Sequence, residues 1–307
     1  MKYYVLNFLF ITTLILAGYF YQDKIIDLLN NSQLKDLLII KSEILNKSTT
    51  LLEIKKEIKI ANPLRGPINV APKLLSVDEV LVWTNSHRVQ NNNLPPLIFN
   101  EKLASAARLK AVDMFNLQYF AHYSPSDVGP GDLANQVNYE FIAFGENLAL
   151  GNFEDSKTLV QAWMDSPGHR ANILNNRFTE IGVAVLKSIY EGDEVWMAVQ
   201  EFGKPLSDCP SIDNDLNNQI KNNDAELGRL KEELNQKKQA IDEWEEQRKE
   251  EENRGFNRGR VNQEEYMSRV DEYNRLVNIY NDLAQSMKEM IDRYNQQIVT
   301  FNQCIVN

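Results

Sequence analysis

The sequence lacks several features that would assign it to a common functional class. Its 307 residues carry a net charge of −10 and no long basic run, which argues against a nucleic-acid partner. No Gly-x-Ser-x-Gly nucleophile elbow is present. Histidine and cysteine are scarce, with three and two residues. The length has room for two independent modules.

The amino terminus predicts a membrane anchor. An apolar stretch of about 18 residues follows Lys2, and at about 1.5 Å per residue it barely reaches the ~30 Å of a hydrocarbon core. We therefore predict a transmembrane helix over residues 1–22, in a single-pass cell-membrane protein whose bulk is extracytoplasmic. A cleaved signal peptide, which would make the protein secreted, is the alternative. No small-x-small site and no lipidation cysteine follow the stretch.

Residues 23–72 predict a juxtamembrane stalk and linker. Clusters of Ile and Leu alternate with charged residues, as in an amphipathic helix near a membrane. Three X-Pro steps, at Asn62-Pro63, Gly66-Pro67 and Ala71-Pro72, then indicate the linker. The alternative is that this segment packs on the following domain as an extension.

The most informative stretch runs from residue 145 to residue 185. Glu146 lies in a Gly-Glu-Asn sequence, which predicts a tight turn, and His169 follows a Pro-Gly pair, which predicts another. His122 lies upstream in a third turn-rich segment. A His/Glu/His set held on loops is what a divalent cation, or a polarised water, needs.

Several short sequence motifs occur in a specific order and spacing between about residue 76 and residue 205. They are Trp83-Thr84-Asn85, Leu103-Ala104-Ser105-Ala106-Ala107, Phe120-Ala121-His122, Gly145-Glu146-Asn147-Leu148-Ala149, Trp163, Ser166-Pro167-Gly168-His169-Arg170, Asn172-Ile173-Leu174 and Gln200-Glu201-Phe202-Gly203. With them the chain resembles the CAP superfamily of cysteine-rich secretory and pathogenesis-related proteins. It is most similar to the bacterial branch of SCP-like extracellular domains.

The resemblance implies the fold and the site of residues 73–207. The expected fold is an α-β-α sandwich with a central antiparallel sheet and a cleft lined by two His and two acidic residues. His122, Glu146 and His169 match three of these positions, and their side chains suit a divalent cation such as zinc. The second family Glu falls at Ser166, with Asp165 beside it as the candidate substitute.

Other interpretations of the same residues stay open. Glu146 could instead hold its turn through backbone amides, while the two His brace loops. Ser124 and Ser166 lie close in sequence to His122 and His169 and could be nucleophiles. A serine before proline, however, is commonly a helix cap or turn residue. No catalytic residue is assigned at this point.

Residues 208–307 predict an antiparallel coiled-coil hairpin. Apolar residues recur with alternating spacings of three and four on two arms, separated by a break with two Gly near residues 254–260. In a hairpin, residues equidistant from the loop meet. Cys209 and Cys304 are such a pair, which predicts a disulfide between them. One long helix that dimerises in parallel is the alternative.

Together these patterns predict an α+β protein: an anchor, a stalk, a CAP-like domain and a coiled-coil hairpin. The expected function is a cell-envelope binding or scaffold module that holds a divalent cation or small ligand. Its partners would be the membrane and an envelope lipid, glycan or protein, with the hairpin docking to another protein. A metal-assisted hydrolase of envelope peptide, glycan or lipid is the alternative.

Overall fold

The computed structural model describes residues 49–70, 74–91, 93–254 and 261–306. The predicted anchor over residues 1–22 and the first part of the predicted stalk therefore lie outside the described residues. Within the described part, no helix combines the length and the hydrophobicity that crossing a bilayer requires. The chain forms two compact units, one of residues 51–211 with 299–307 and one that includes residues 212–298.

The first unit is a domain of mixed helices and strands. Its strands are β1 (Glu57–Ile60), β2 (Leu64–Arg65), β3 (Ile98–Phe99), β4 (Phe141–Gly151), β5 (Glu180–Tyr190) and β6 (Asp193–Pro205). Its helices are α1 (Val77–Gln90), α2 (Glu101–Leu117), α3 (Pro130–Gln136), α4 (Ser156–Asp165) and α5 (Pro167–Ile173), with a 3-10 turn at Leu206–Asp208. This agrees with the mixed class predicted from the sequence.

One sheet runs through this unit in the order β1-β4-β6-β5-β3, and β2 also pairs with β4. The three long central strands are antiparallel. The short outer strands instead pair in parallel with β4 and β5. The antiparallel sheet implied by the family resemblance is therefore correct for the centre and wrong for the edges.

Both faces of the sheet are covered by helices. In β4, Leu148 packs in an apolar cluster with Met114 of α2, whereas the next residue, Ala149, packs in a cluster with Trp163 of α4. Every residue of β4 is buried. A strand covered on both sides reads as a nearly continuous apolar run, which explains why strand alternation is missing from its sequence.

Side-chain caps fix where two of the helices begin. The Asn100 side chain accepts hydrogen bonds from the backbone N–H groups of Lys102 and Leu103 at the start of α2. The Asp155 side chain accepts one from the N–H of Thr158 at the start of α4. Such caps satisfy amides that have no partner within the helix.

Residues 57–65 do not form the linker that the sequence predicted. They supply β1 and β2, which extend the sheet along the edge of β4. The alternative interpretation, an extension packed on the domain, describes this part of the segment. Pairing with an otherwise open strand edge satisfies the backbone groups of both strands and outweighs the local preference for a helix.

The other unit contains most of two long helices, α6 (Asn214–Asn253) and α7 (Val261–Val306). Asp213 bonds to Gln297, Lys237 pairs with Glu272, and the Trp244 ring stacks on Tyr266 with centroids 5.4 Å apart. Partner numbers fall along α7 as they rise along α6, so the helices run antiparallel. Apolar residues from both helices form one cluster. The predicted Gly-rich loop, residues 255–260, lies outside the described residues, and knobs-into-holes packing stays a prediction.

The disulfide predicted from the hairpin register is confirmed. Cys209 and Cys304 are bonded, with their Cα atoms 5.6 Å apart. Both belong to the sheet-containing unit, because Ile305, near the end of α7, packs there in one cluster with Ile142 and Cys209. The domain boundary predicted at residue 208 places the end of α7 in the hairpin, whereas the structure places it in the sheet-containing unit.

Candidate functional site

Glu146 lies inside a strand and not in the tight turn expected from its neighbours. It is the sixth residue of β4 and is fully buried. Gly145 is required by packing rather than by a turn, since a Cβ there would lie 2.6 Å from Cζ of Phe178. The turn predicted from the Gly-Glu-Asn sequence is wrong, because tertiary contacts place these three residues in a strand.

His122 contacts the Glu146 carboxylate from the loop that follows α2. Its Nδ1 lies 2.5 Å from Oε1 of Glu146, and both side chains are buried. Its Nε2 contacts the backbone carbonyl of Ala61, which follows β1 directly. Both ring nitrogens of His122 are therefore engaged by oxygen atoms.

His169 lies in the first turn of α5, not in a Pro-Gly turn. Proline at the first helical position is compatible with a helix start, and the helix continues to Ile173. Nδ1 of His169 lies 2.8 Å from Oγ of Ser166. Nε2 is buried and has no side-chain partner among the described residues. Burial, with a smaller contribution from His122, lowers the pKa of His169 to about 4, so the ring is neutral near pH 7.

Glu201 is the site residue that sequence reasoning missed. It lies directly opposite Glu146 across the β4–β6 ladder and is fully buried. No donor from another residue reaches its carboxylate oxygens in the described part of the chain, and its protonated form hydrogen-bonds to the Glu146 carboxylate. Burial, followed by the charge of Glu146, raises the pKa of Glu201 well above its usual value. The available signal was a single acidic residue within the apolar run of β6.

Lys110 places a positive charge close enough to act on both buried carboxyl groups. It projects from α2, is 1% exposed, and its Nζ donates to the carbonyl of His122 at 2.5 Å and to the Tyr119 hydroxyl at 3.2 Å. Burial lowers its pKa, while Glu146 and Glu201 act in the opposite direction. Lys110 thus fixes the His122 loop and lowers the cost of burying two acids.

A hydrogen-bond network of uncharged amide side chains supports the site from the other face of the sheet. The Asn172 side chain donates to the carbonyl of Glu146 at 3.2 Å and to the Asn147 side chain at 3.0 Å. Asn147 in turn donates to the backbone of His169 and to the side chain of Gln200. These bonds connect α5 with β4 and hold His169 close to the strand that carries Glu146.

The remaining candidates have other roles. Asp165 is exposed at the end of α4 and accepts a hydrogen bond from Gln161, so it does not substitute for a second family Glu. Ser124 accepts bonds from the N–H groups of Ser126 and Val128 and stabilises its own loop. Ser166 links α4 to α5 and contacts His169, where it serves as a helix-terminal residue.

The donor chemistry suits a cation, but the present arrangement does not make a metal site. Imidazole nitrogen and carboxylate oxygen are ligands for zinc. Within residues 49–254 and 261–306, as far as they are described, no three His, Cys, Asp or Glu side chains have a geometry that could hold an ion. At His122, the Ala61 carbonyl contacts the nitrogen that a cation would need. The three-residue metal site stays a prediction.

Comparison with known proteins decides the family of this region. Residues 81–202 match the profile of CAP, the cysteine-rich secretory protein family. This region carries strands β3 to β5, most of β6 and the buried His/Glu cluster described above. The chain contains a bacterial CAP domain.

Two curated relatives from Bacillus subtilis match the CAP domain. The uncharacterized protein YkwD is 41% identical over 120 residues, which are 38% of this chain and 46% of YkwD. The uncharacterized membrane protein YlbC is 32% identical over 115 residues, which are 38% of this chain and 33% of YlbC. The matching region of this chain thus spans less than half the length of either relative.

Two solved structures are also similar to this chain. One is an extracellular protein containing an SCP domain from Bacillus anthracis, with 31% identity, a TM-score of 0.36, and coverage of 42% of this chain and 40% of that one. The other is an outer surface protein from Borrelia burgdorferi, with 22% identity, a TM-score of 0.36, and coverage of 42% of this chain and 91% of that one.

Proposed function

We propose that the protein is a cell-envelope binding module, and that its CAP domain binds a divalent cation or a small cationic ligand through His122, Glu146 and His169. Glu201 is added to this set because it lies opposite Glu146. We call these four residues the buried cluster. The cation expected from the ligand types is one such as zinc.

One observation carries this proposal. Among the described residues, Oε2 of Glu146 and the carboxyl group of Glu201 are buried with only each other as partners, and Nε2 of His169 is buried without a side-chain partner. Each buried polar group without a partner costs about 1–3 kcal/mol. Folded proteins retain such groups mainly where a ligand, ion or water completes them. A cation accepts lone pairs from carboxylate oxygens and from a neutral imidazole nitrogen alike, so both kinds of group are suitable ligands, and binding one ion would require these side chains to move from their present arrangement.

The envelope location is supported by two further observations. A disulfide joins Cys209 and Cys304, and disulfides persist in oxidising compartments outside the cytosol. YlbC, which is 32% identical to the CAP domain, is named a membrane protein. We infer that residues 1–22 anchor the chain in the cell membrane and that residues 212–298 act as a coiled-coil arm that docks to another protein.

A metal-assisted hydrolase of envelope peptide, glycan or lipid is the second candidate. It is favoured by a buried neutral imidazole, His169, whose Nε2 has no side-chain partner among the described residues. Binding is preferred because Ser166 lies where the family resemblance places a second Glu, and a serine hydroxyl is a much weaker general base than a carboxylate.

The proposal is tested by calorimetric titration of the metal-free full chain with Zn²⁺. We expect His169→Ala and Glu146→Ala to weaken binding at least about tenfold, or by ~1.4 kcal/mol. The matched control is His87→Ala, because His87 is the third histidine of the chain and lies outside the buried cluster on α1. This variant should bind Zn²⁺ like the unaltered chain.

The controls separate binding from folding. Each variant is compared by circular dichroism melting before titration, and a variant that melts normally but binds more weakly has lost a ligand. Equal Zn²⁺ affinity in all four proteins, or loss of binding only in His87→Ala, would contradict the proposed site. Turnover of an envelope substrate that disappears in His169→Ala would favour the hydrolase instead.

A further inference from the structure

Residues 57–61, which we call the strap, close the buried cluster from outside the region that matches the CAP family. The family match begins at residue 81. Within the strap, β1 pairs in parallel with β4, and Ile60 lies opposite Glu146. The next residue, Ala61, contacts Nε2 of His122 through its carbonyl oxygen. The strap, which lies outside the family match, thus contacts Nε2 of His122 and makes this nitrogen inaccessible to another ligand.

The strap is held at the site largely by its main chain. Besides the β ladder, the Ala61 carbonyl contacts His122, and the Lys59 carbonyl accepts from Asn172 at 3.4 Å. At the start of the strap, the Glu57 side chain also pairs with Arg177. The side chains of Ile58 and Ile60 are exposed by 39% and 46%. Contacts of this kind recognise an extended peptide backbone and are tolerant of its side chains.

Gly168 provides the space for Ala61. A Cβ added to Gly168 would lie 2.9 Å from Cβ of Ala61 and 3.5 Å from its Cα, and Ala61 is the only described residue beyond its neighbours that it would meet within 4 Å. Gly168 is the second residue of α5 and follows Pro167. The surface beside His122 is therefore shaped to admit the backbone of a small residue.

We propose that the strap is an intramolecular occupant of the site, and that the open site binds an extended peptide segment in the same position. The inference rests on the proposed function, since it names a ligand class for the same site. The Ala61 carbonyl and a cation compete for Nε2 of His122, because the carbonyl requires a hydrogen on that nitrogen and a cation requires its lone pair. Ligand binding at His122 therefore requires the strap to leave.

An occupant within the same chain has a large advantage over a free peptide. A tethered segment acts at an effective concentration on the order of millimolar. A free peptide should therefore bind the unaltered chain weakly and bind a chain with a displaced strap more tightly. Gly168→Ala is the minimal displacing change, because the Cβ of Ala61 is attached directly to the strap backbone and cannot rotate away.

The test uses the full chain and a labelled peptide, KKEIKIGNP, which has the sequence of residues 55–63 with glycine in place of Ala61, so that the peptide itself does not meet a methyl group added at Gly168. Fluorescence anisotropy would measure its binding to the unaltered chain, Gly168→Ala, Ala61→Gly and the double variant. We expect Gly168→Ala to bind the peptide at least about tenfold more tightly. The double variant should return to the affinity of Ala61→Gly alone, because the removed methyl group relieves the contact.

Hydrogen exchange and Zn²⁺ titration of the same proteins provide independent readouts. Amides of residues 57–61 should exchange faster in Gly168→Ala, and Zn²⁺ should bind this variant more tightly. A peptide with proline in place of Ile60 should bind less well, because proline cannot donate to the β ladder.

The outcomes distinguish the two proposals. Equal peptide affinity in all four proteins overturns the peptide assignment, whether or not the strap amides exchange faster. Equal Zn²⁺ affinity of Gly168→Ala and the unaltered chain overturns the occupant role but leaves the binding module intact. Absence of both Zn²⁺ and peptide binding in every protein contradicts the proposed function itself.

Discussion

Replacing Gly182 with alanine should lower the free energy of unfolding of the CAP domain by about 3 kcal/mol or more, at the upper end of the cost of overpacking a core. A Cβ at this position would lie 2.0 Å from the backbone nitrogen of Ala104 and 2.1 Å from the carbonyl carbon of Leu103. These are backbone atoms of α2, so no side-chain rotation relieves the overlap. The whole helix would have to move away from β5.

The measurement is urea unfolding followed by tryptophan fluorescence, since Trp163 and Trp196 are both buried in this domain. The matched control is Gly228→Ala, because no described residue beyond its neighbours lies within 4 Å of a Cβ at this helical glycine. That change should stabilise by up to about 1 kcal/mol through helix propensity. A loss below about 0.5 kcal/mol in Gly182→Ala would mean that α2 does not pack against β5 as described.

Removing the disulfide should cost about 4–5 kcal/mol, because it closes a loop of 95 residues. The bond restricts the unfolded chain over the entire length of α6 and α7, which explains the size of the effect. We expect the Cys209→Ser, Cys304→Ser double variant and the reduced protein to unfold at the same, lower urea concentration. Unfolding within about 1 kcal/mol of the oxidised protein would show that loop closure contributes little here.

The hairpin and its disulfide could be predicted because their signals are local and periodic. Spacings of three and four along both arms report the buried face of a helix directly. Two helices joined by a short loop leave one pairing register, and that register places Cys209 beside Cys304. No information from distant parts of the chain is needed.

The CAP domain was only partly predictable because its strands depend on distant contacts. Residues 145–147 are typical of a turn, yet they lie within β4 because Phe178 packs against Gly145 and β6 pairs alongside. Strand propensity is weak compared with such tertiary contacts. His122, Glu146 and His169 were assigned to the site by family resemblance, whereas Glu201 required the register of β4 and β6.

The strap illustrates the same limit. Residues 57–60 have the sequence EIKI, whose alternation is typical of a strand but is too short to stand out from the helix-like Ile and Leu clusters that precede it. The open edge of β4 decides between strand and helix, and it lies more than 80 residues further along the chain. Its function at His122 could not be inferred without the contact of the Ala61 carbonyl.

The central claim is that the buried cluster contains two acids that cannot both ionise cheaply while no ligand is bound. It is tested most directly by the unfolding free energy of metal-free Glu201→Gln, with the exposed Glu140→Gln as control. The folded-state pKa of Glu201 is raised, so its contribution to stability falls as pH rises above the ordinary carboxyl range. The amide group that replaces the carboxyl group does not titrate in this pH range. We predict that Glu201→Gln gains stability relative to the unaltered chain between about pH 5 and about pH 8, while Glu140→Gln does not. A similar loss of stability at both pH values would contradict the claim.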